Sequence, residues 1–307
     1  MSVIWVLLGL IGIYLVFIVG PAVTGFFFIF CKRWGSSYMD RKLEGTTVND
    51  YIPQLKESFA LMEAISSKDV SIVSFDGLTL HGDYYDSKAS KTAILFHGYN
   101  AYPLNNFSFI GKDFLDKGFN VLMIHQRAHN RSEGTHCTMG LLEAKDTISW
   151  VNFVTADSSV DSVICYGISM GASALAYASC EISSNKVKGL IIDCGFTSPA
   201  RQFKESDDKR HLPGFLLVPV TGLCVRMFLH LDINKNTIDS LKKSTVPKLF
   251  VHGRLDETVP VTESGMAYEE AAEPKSIVIS EHGFHAISYM MDENVPKEVW
   301  KFVEEVV

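Results

Sequence analysis

The sequence predicts an α/β protein: a mostly parallel, doubly wound sheet of about eight strands, preceded by one apolar helix. Three observations carry that reading. An uncharged run extends from Val3 to Cys31; short β-rich runs alternate with helical ones from Val70 onward; and a glycine-flanked serine stands where one of those runs turns into a helix. The 307 residues could fill one large domain or two small ones, and a core of that size is stable without disulfides. A net charge of −7 with no basic stripe argues against a nucleic-acid partner. A charged fraction of 21% beside 20 Phe, 11 Tyr and 4 Trp rules out a disordered chain.

The apolar run, VIWVLLGLIGIYLVFIVGPAVTGFFFIFC, has Thr24 as its one clearly polar residue and accounts for a mean hydropathy of +0.13. As a helix at about 1.5 Å per residue it reaches roughly 42 Å, more than the roughly 30 Å hydrocarbon core of a bilayer. Residues 3–31 are therefore expected to anchor the chain in a lipid bilayer, bending at Gly20-Pro21, with the aromatic stretch 26–30 entering the interface. A cleaved signal peptide would carry a basic leader, a shorter apolar run and a small-residue cleavage site, none of which is seen before the charges begin. A buried core helix rarely extends so far without a polar face. Residues 32–69 read as a juxtamembrane linker and helix. Lys32, Arg33, Arg41 and Lys42 follow the anchor closely, which places the rest of the chain in the cytoplasm, the extracytoplasmic side being the alternative.

From there strands are expected at 70–75, 78–85, 92–97, 120–125, 162–167, 189–193, 248–252 and 276–280. The first two alternate polar and apolar residues, as an antiparallel hairpin at a sheet edge does. The later ones are continuous apolar runs suited to parallel strands covered on both faces. Helical stretches fall between them at 103–117, 139–156, 170–182, 260–272 and 295–306. Residues 70–307 thus form the main domain. The interval 195–246 is too long for an ordinary crossover and reads as a cap insertion, its apolar segment 213–231 placing Phe215 and Leu216 as candidate substrate contacts. A long crossover helix with loops is the plainer alternative. The cysteines Cys31, Cys137, Cys165, Cys180, Cys194 and Cys224 show no metal-ligand spacing, and unpaired they point weakly to a reducing compartment.

The chemistry concentrates on Gly167-Ile168-Ser169-Met170-Gly171. A serine on a sharp strand-to-helix turn projects its oxygen from the sheet edge, and Gly167 and Gly171 flank it because that turn is too crowded for side chains. Behind it, the helix N-terminus supplies oriented N–H groups. A hydroxyl needs a base, and the base needs an orienting carboxylate, in the chain order serine, acid, histidine. Asp256 lies in a loop beyond the strand at 248–252, and His285 in the loop beyond the strand at 276–280. Glu257 and Asp193 are rival acids, and His282 is a rival base. An oxyanion would be held by the N–H groups of Met170 and Tyr99, with Gly98 allowing the close turn after the strand at 92–97.

Together these residues resemble the α/β-hydrolase superfamily, and within it membrane-anchored bacterial hydrolases of the serine aminopeptidase S33-like branch. The resemblance spans roughly 70–305. It rests on His97-Gly98, the serine turn, the Asp256 loop, Gly283-Phe284-His285-Ala286 and the loop from Arg127 to Gly134. His125 stands where the family often has Asp, and Asn130 where it usually has Gly; both departures read as structural, since Asn tolerates a left-handed backbone. The resemblance implies a serine hydrolase acting on an acyl ester or peptide through Ser169, His285 and Asp256, with no cofactor or metal. Ester cleavage is the leading expectation. An aminopeptidase would need an acid to hold the substrate amine, for which Glu205, Asp207 and Asp208 are the cap's acidic cluster. A catalytically silent scaffold is the reading from another class.

Overall fold

A computed structural model describes residues 2–31 and 52–307, so Lys32, Arg33, Arg41 and Lys42, on which the topology reading rests, lie outside the described residues. The apolar run is helical throughout: α1 (Ser2–Tyr14), a π-helical turn (Leu15–Val19) and α2 (Gly20–Phe30). The bend expected at Gly20-Pro21 takes the form of that π turn. Pro21 has no N–H and its ring crowds the carbonyl one turn earlier, so the chain widens just before it, with the Gly20 N–H bonded to the Leu15 carbonyl.

The end of this helix departs from the expectation. Phe27 and Phe28 are exposed, but Phe26 and Phe30 are buried in a cluster with Met170, Phe203 and Val225 instead of facing outward. An aromatic stretch repeats every fourth residue on one face of a helix, and here that face meets protein.

α3 (Ile52–Glu63) packs on α4 (Pro103–Asp116), with Met62 fully buried and the Ser58 and Ser108 hydroxyls 2.8 Å apart. The sheet comprises β1 (Lys68–Val73), β2 (Thr79–Tyr85), β3 (Lys91–Phe96), β4 (Asn120–Ile124), β5 (Ser162–Ile168), β6 (Val187–Asp193), β7 (Lys248–Gly253) and β8 (Lys275–Ser280). Its order is β1-β2-β4-β3-β5-β6-β7-β8, with the β1–β2 and β2–β4 pairs antiparallel and the remaining pairs parallel. The expected edge hairpin is therefore β1–β2. Strands β3 to β7 are buried almost without break, which is why they read as continuous apolar runs.

α4, with α12 (Asn294–Val306), covers one face of the sheet; α5 (Glu143–Ala156), α6 (Met170–Ala178) and α10 (Val261–Glu270) cover the other. A four-residue turn of helix, α11 (Ser288–Met291), precedes α12. Between β6 and β7 lie α7 (Pro199–Lys209), α8 (Gly214–Leu229) and α9 (Ile238–Leu241). α7 and α8 pack on each other and on α2, whereas α9 lies against α6 as a crossover helix would.

Candidate active site

Ser169 stands between β5 and α6 with φ +55° and ψ −118°, a backbone conformation that L side chains rarely adopt. The flanking glycines permit it. A Cβ on Gly171 would overlap the Phe96 carbonyl, and one on Gly167 would overlap the Gly171 carbonyl. The Ser169 N–H donates to the Asp193 carbonyl at 2.8 Å, tying the turn to the end of β6.

Ser169 Oγ lies 3.0 Å from His285 Nε2, and His285 Nδ1 lies 2.6 Å from Asp256 Oδ2. Asp256 is buried and its second oxygen accepts the N–H groups of Thr258 and Val259, each at 2.8 Å. Burial alone would push its pKa up; His285 and His252 outweigh it and hold the carboxyl well below its ordinary value. The loops that carry the two residues are locked together. Leu255 N–H donates to the Gly283 carbonyl and Arg254 N–H to the Ser280 carbonyl, and a Cβ on Gly253 would overlap Gly283. The rivals stand elsewhere: Glu257 and His282 are exposed. Asp193 is buried at the end of β6, where Tyr166 Oη donates to it at 3.0 Å and burial pushes its pKa up to about 6.

The loop after β3 lies against the serine, since a Cβ on Gly98 would fall 3.3 Å from Ser169 Cβ. The Gly98 N–H donates to Asn106 Oδ1 at 2.8 Å. Gln126 Nε2 donates to the His97 carbonyl at 2.6 Å, and the Asn100 N–H donates to His129 Nε2 at 3.0 Å. Met170 occupies the first turn of α6, where helix N–H groups have no intrahelical acceptor. Tyr99 Oη reaches the Phe28 carbonyl of α2 at 3.3 Å. Asn106 and Gln126 carried no motif in the sequence, and His129 was read only as part of the Arg127–Gly134 loop. Their role becomes visible only when β4 and α4 are placed beside β3.

The loop from Arg127 to Gly134 is held by charge. The buried Arg127 guanidinium donates to Asp146 at 2.6 and 2.7 Å and to Asp76 at 2.9 and 3.1 Å. Asn130 has φ +48°, the left-handed backbone a glycine would supply, and His125 Nε2 lies 2.8 Å from Asp83. Cys165 and Cys194 are both buried, Cys194 one residue beyond the end of β6. Its thiol, Asp256 and His285 offer donor atoms within 4.8 Å of one another. Burial pushes the thiol pKa well up, so it stays protonated, while the other two are bonded to each other. Phe215 and Leu216 are exposed at the start of α8.

A model of the α/β-hydrolase fold matches residues 92–218, which contain β3 to β6 and the serine turn. The chain has the α/β-hydrolase fold. Among solved structures, the chain resembles esterase Pf2001 of Pyrococcus furiosus with a TM-score of 0.65 at 22% identity, over 87% of this chain and 96% of that one. Among curated sequences it is 29% identical over 258 residues to the uncharacterized protein YqkD of Bacillus subtilis, covering 81% of this chain and 82% of that protein. It is 26% identical over 228 residues to the uncharacterized protein YfhR of Escherichia coli K12, covering 72% and 74%.

Proposed function

We propose that the chain is a membrane-anchored serine hydrolase cleaving carboxylic acyl esters through an acyl-enzyme. The observation that carries the reading is the continuous line Ser169 Oγ, His285 Nε2, His285 Nδ1, Asp256 Oδ2, with a hydrogen bond at each end of the imidazole ring. Ser169 attacks the ester carbonyl and passes its proton to His285, which delivers it to the departing alcohol. Water then enters, His285 takes its proton, and attack on the acyl-enzyme releases the acid and restores Ser169. Asp256 orients His285 and balances its transient positive charge. The N–H groups of Tyr99 and Met170 receive the oxyanion.

Ester cleavage is favoured over an aminopeptidase because Glu205 and Asp208 pair with Lys209 and Lys204 on the surface of α7, and Asp207 is only partly buried. Anchoring is supported by Val3–Phe30, a helix long and apolar enough to cross a membrane. Burial of Phe26 and Phe30 beside Met170 favours a retained helix over a cleaved leader, since cleavage would expose the aromatic cluster. Residues 70–307 are read as the hydrolase domain, 195–246 as its cap, and the domain as cytoplasmic.

A fluorophosphonate probe on the full chain tests the chemistry: it should label the protein but not the Ser169→Ala variant. Equal labelling of both, or turnover of short-chain esters by a clean Ser169→Ala preparation, would refute it. For topology, a membrane-impermeant thiol reagent should reach a cysteine introduced at Ser37 only after cell lysis.

A further inference from the structure

The apolar helix meets the domain over only half its length. Every large side chain from Val3 to Phe17 is exposed, whereas Ile18, Ala22, Phe26 and Phe30 are buried. Their partners run along α8 in the same direction: Ile18 and Ala22 share a cluster with Leu217, and Phe26 lies 5.6 Å from Phe228, ring to ring. Residues 3–17 give about 22 Å of helix. A hydrocarbon core of about 30 Å needs some five residues more, which brings the span to Ala22. The first turns of α8 lie at that same level.

α8 is built for such a position. Phe215, Leu216, Leu223 and Met227 are exposed and, at 100° per residue, fall on one face, opposite the buried Leu217, Thr221, Cys224 and Val225. From Gly214 to Val225 the helix carries no charge. Arg210 and Arg226, both exposed, bracket this stretch and can extend to lipid phosphates. The charges of α7 near the same tip fix the depth. Asp208 is paired with Lys204, and Lys209 lies near Glu205 with its ammonium on the Glu257 carbonyl. They suit the headgroup layer, and so the stripe belongs at the boundary between headgroups and acyl chains.

From that boundary α2 continues as far as the serine turn. The Cys137 N–H donates to the Phe30 carbonyl at 2.8 Å, and its thiol lies 3.2 Å from Met170 Sδ, next to Ser169. We propose that the exposed face of α8 rests in the bilayer interface beside the apolar helix, and that the substrate is a long-chain acyl ester drawn from that leaflet, where lipid ester bonds reside. The placement of α8 rests on the anchor and the substrate class on the hydrolase reading, and the two are tested separately.

For placement, an environment-sensitive fluorophore is attached to Cys at Leu223→Cys in full-length protein carrying Cys31→Ser and Cys180→Ser, reconstituted in phosphatidylcholine nanodiscs. Lipids bearing a nitroxide near the head of the chain should quench it at least about twofold more than lipids bearing one at the chain's methyl end, and label at Ser158→Cys, on the far side of the domain, should be quenched by neither. Quenching at Leu223 no greater than at Ser158 overturns the placement, as does protection of the label by self-association without lipid. For substrate, Leu223→Ser/Met227→Ser should lower hydrolysis of a monooleoyl ester in nanodiscs about tenfold while leaving a water-soluble acetate ester within about twofold. Equal losses on both esters overturn the substrate class. Failure of the wild type to hydrolyse either ester refutes the hydrolase reading instead, and the quenching result still decides where α8 lies.

Discussion

On one side of Ser169, the loops after β7 and β8 bring Asp256 and His285 to the serine through hydrogen bonds between polar groups 29 and 116 residues apart in sequence. On the other, α2 and the loop around Cys137 meet Met170 through aromatic rings, a thioether and one backbone bond. The first side is exacting in geometry: in the proposed chemistry a proton travels along it. The second is a packed wall, and its demand is volume and apolarity. Substitutions on the two sides should therefore fail differently, the first in turnover with the fold intact and the second in stability.

The largest effect belongs to the polar side. Ser169→Ala should lower turnover by on the order of 10⁴- to 10⁶-fold with an unchanged melting temperature, because the hydroxyl sits at a turn and supports no packing. Asp256→Asn should cost about 10⁴-fold, since the amide would stabilise the wrong histidine tautomer. If Asp193→Asn instead caused the larger loss, the carboxylate assignment would be reversed. Steady-state kinetics on a short-chain ester reads all three.

The packed side breaks through Phe30. Phe30→Ala removes a fully buried ring from the cluster with Phe203 and Met170, and should cost about 3–5 kcal/mol in chemical denaturation of the detergent-solubilised protein. Phe17→Ala, on the exposed half of the same apolar run, should cost close to nothing. Similar losses at both positions would mean that the wall is not a wall.

The two sides also differ in how far the sequence disclosed them. Strand-end loops in a parallel sheet all leave by the same edge, so a serine turn after one strand and acidic and histidine loops after two others could be placed together from order alone. Each strand from β3 to β7 was visible as an apolar run because it is covered on both faces. The docking of α2 had no such signal. A run of 29 apolar residues looks alike whether Phe30 faces lipid or Phe203, and only the partner surface decides. Asn106 and Gln126 were hidden for a related reason: isolated polar residues acquire meaning when a turn from another strand needs a partner. The charge network around Arg127 was half visible, through its loop but not through Asp76 or Asp146.

A smaller effect probes the start of α8. Leu216→Asp should weaken hydrolysis of long-chain esters more than of acetyl esters, by about 0.8 kcal/mol for each methylene that loses contact. Equal weakening would assign α8 to scaffolding alone.

The subtlest test is the pH dependence of Asp193→Asn. Burial, opposed by the Tyr166 hydroxyl and by His252 and His285, raises the Asp193 pKa to about 6 from its ordinary 3.8. A carboxyl whose folded pKa is raised holds its proton longer in the native state than in the unfolded chain. Native stability therefore falls as pH rises from about 4 to about 6, and the penalty persists above that. Asn carries no such charge. The variant's stability relative to wild type should thus improve between pH 4 and pH 8, by up to about 3 kcal/mol. A variant with an unchanged stability slope would mean that Asp193 does not titrate in this range.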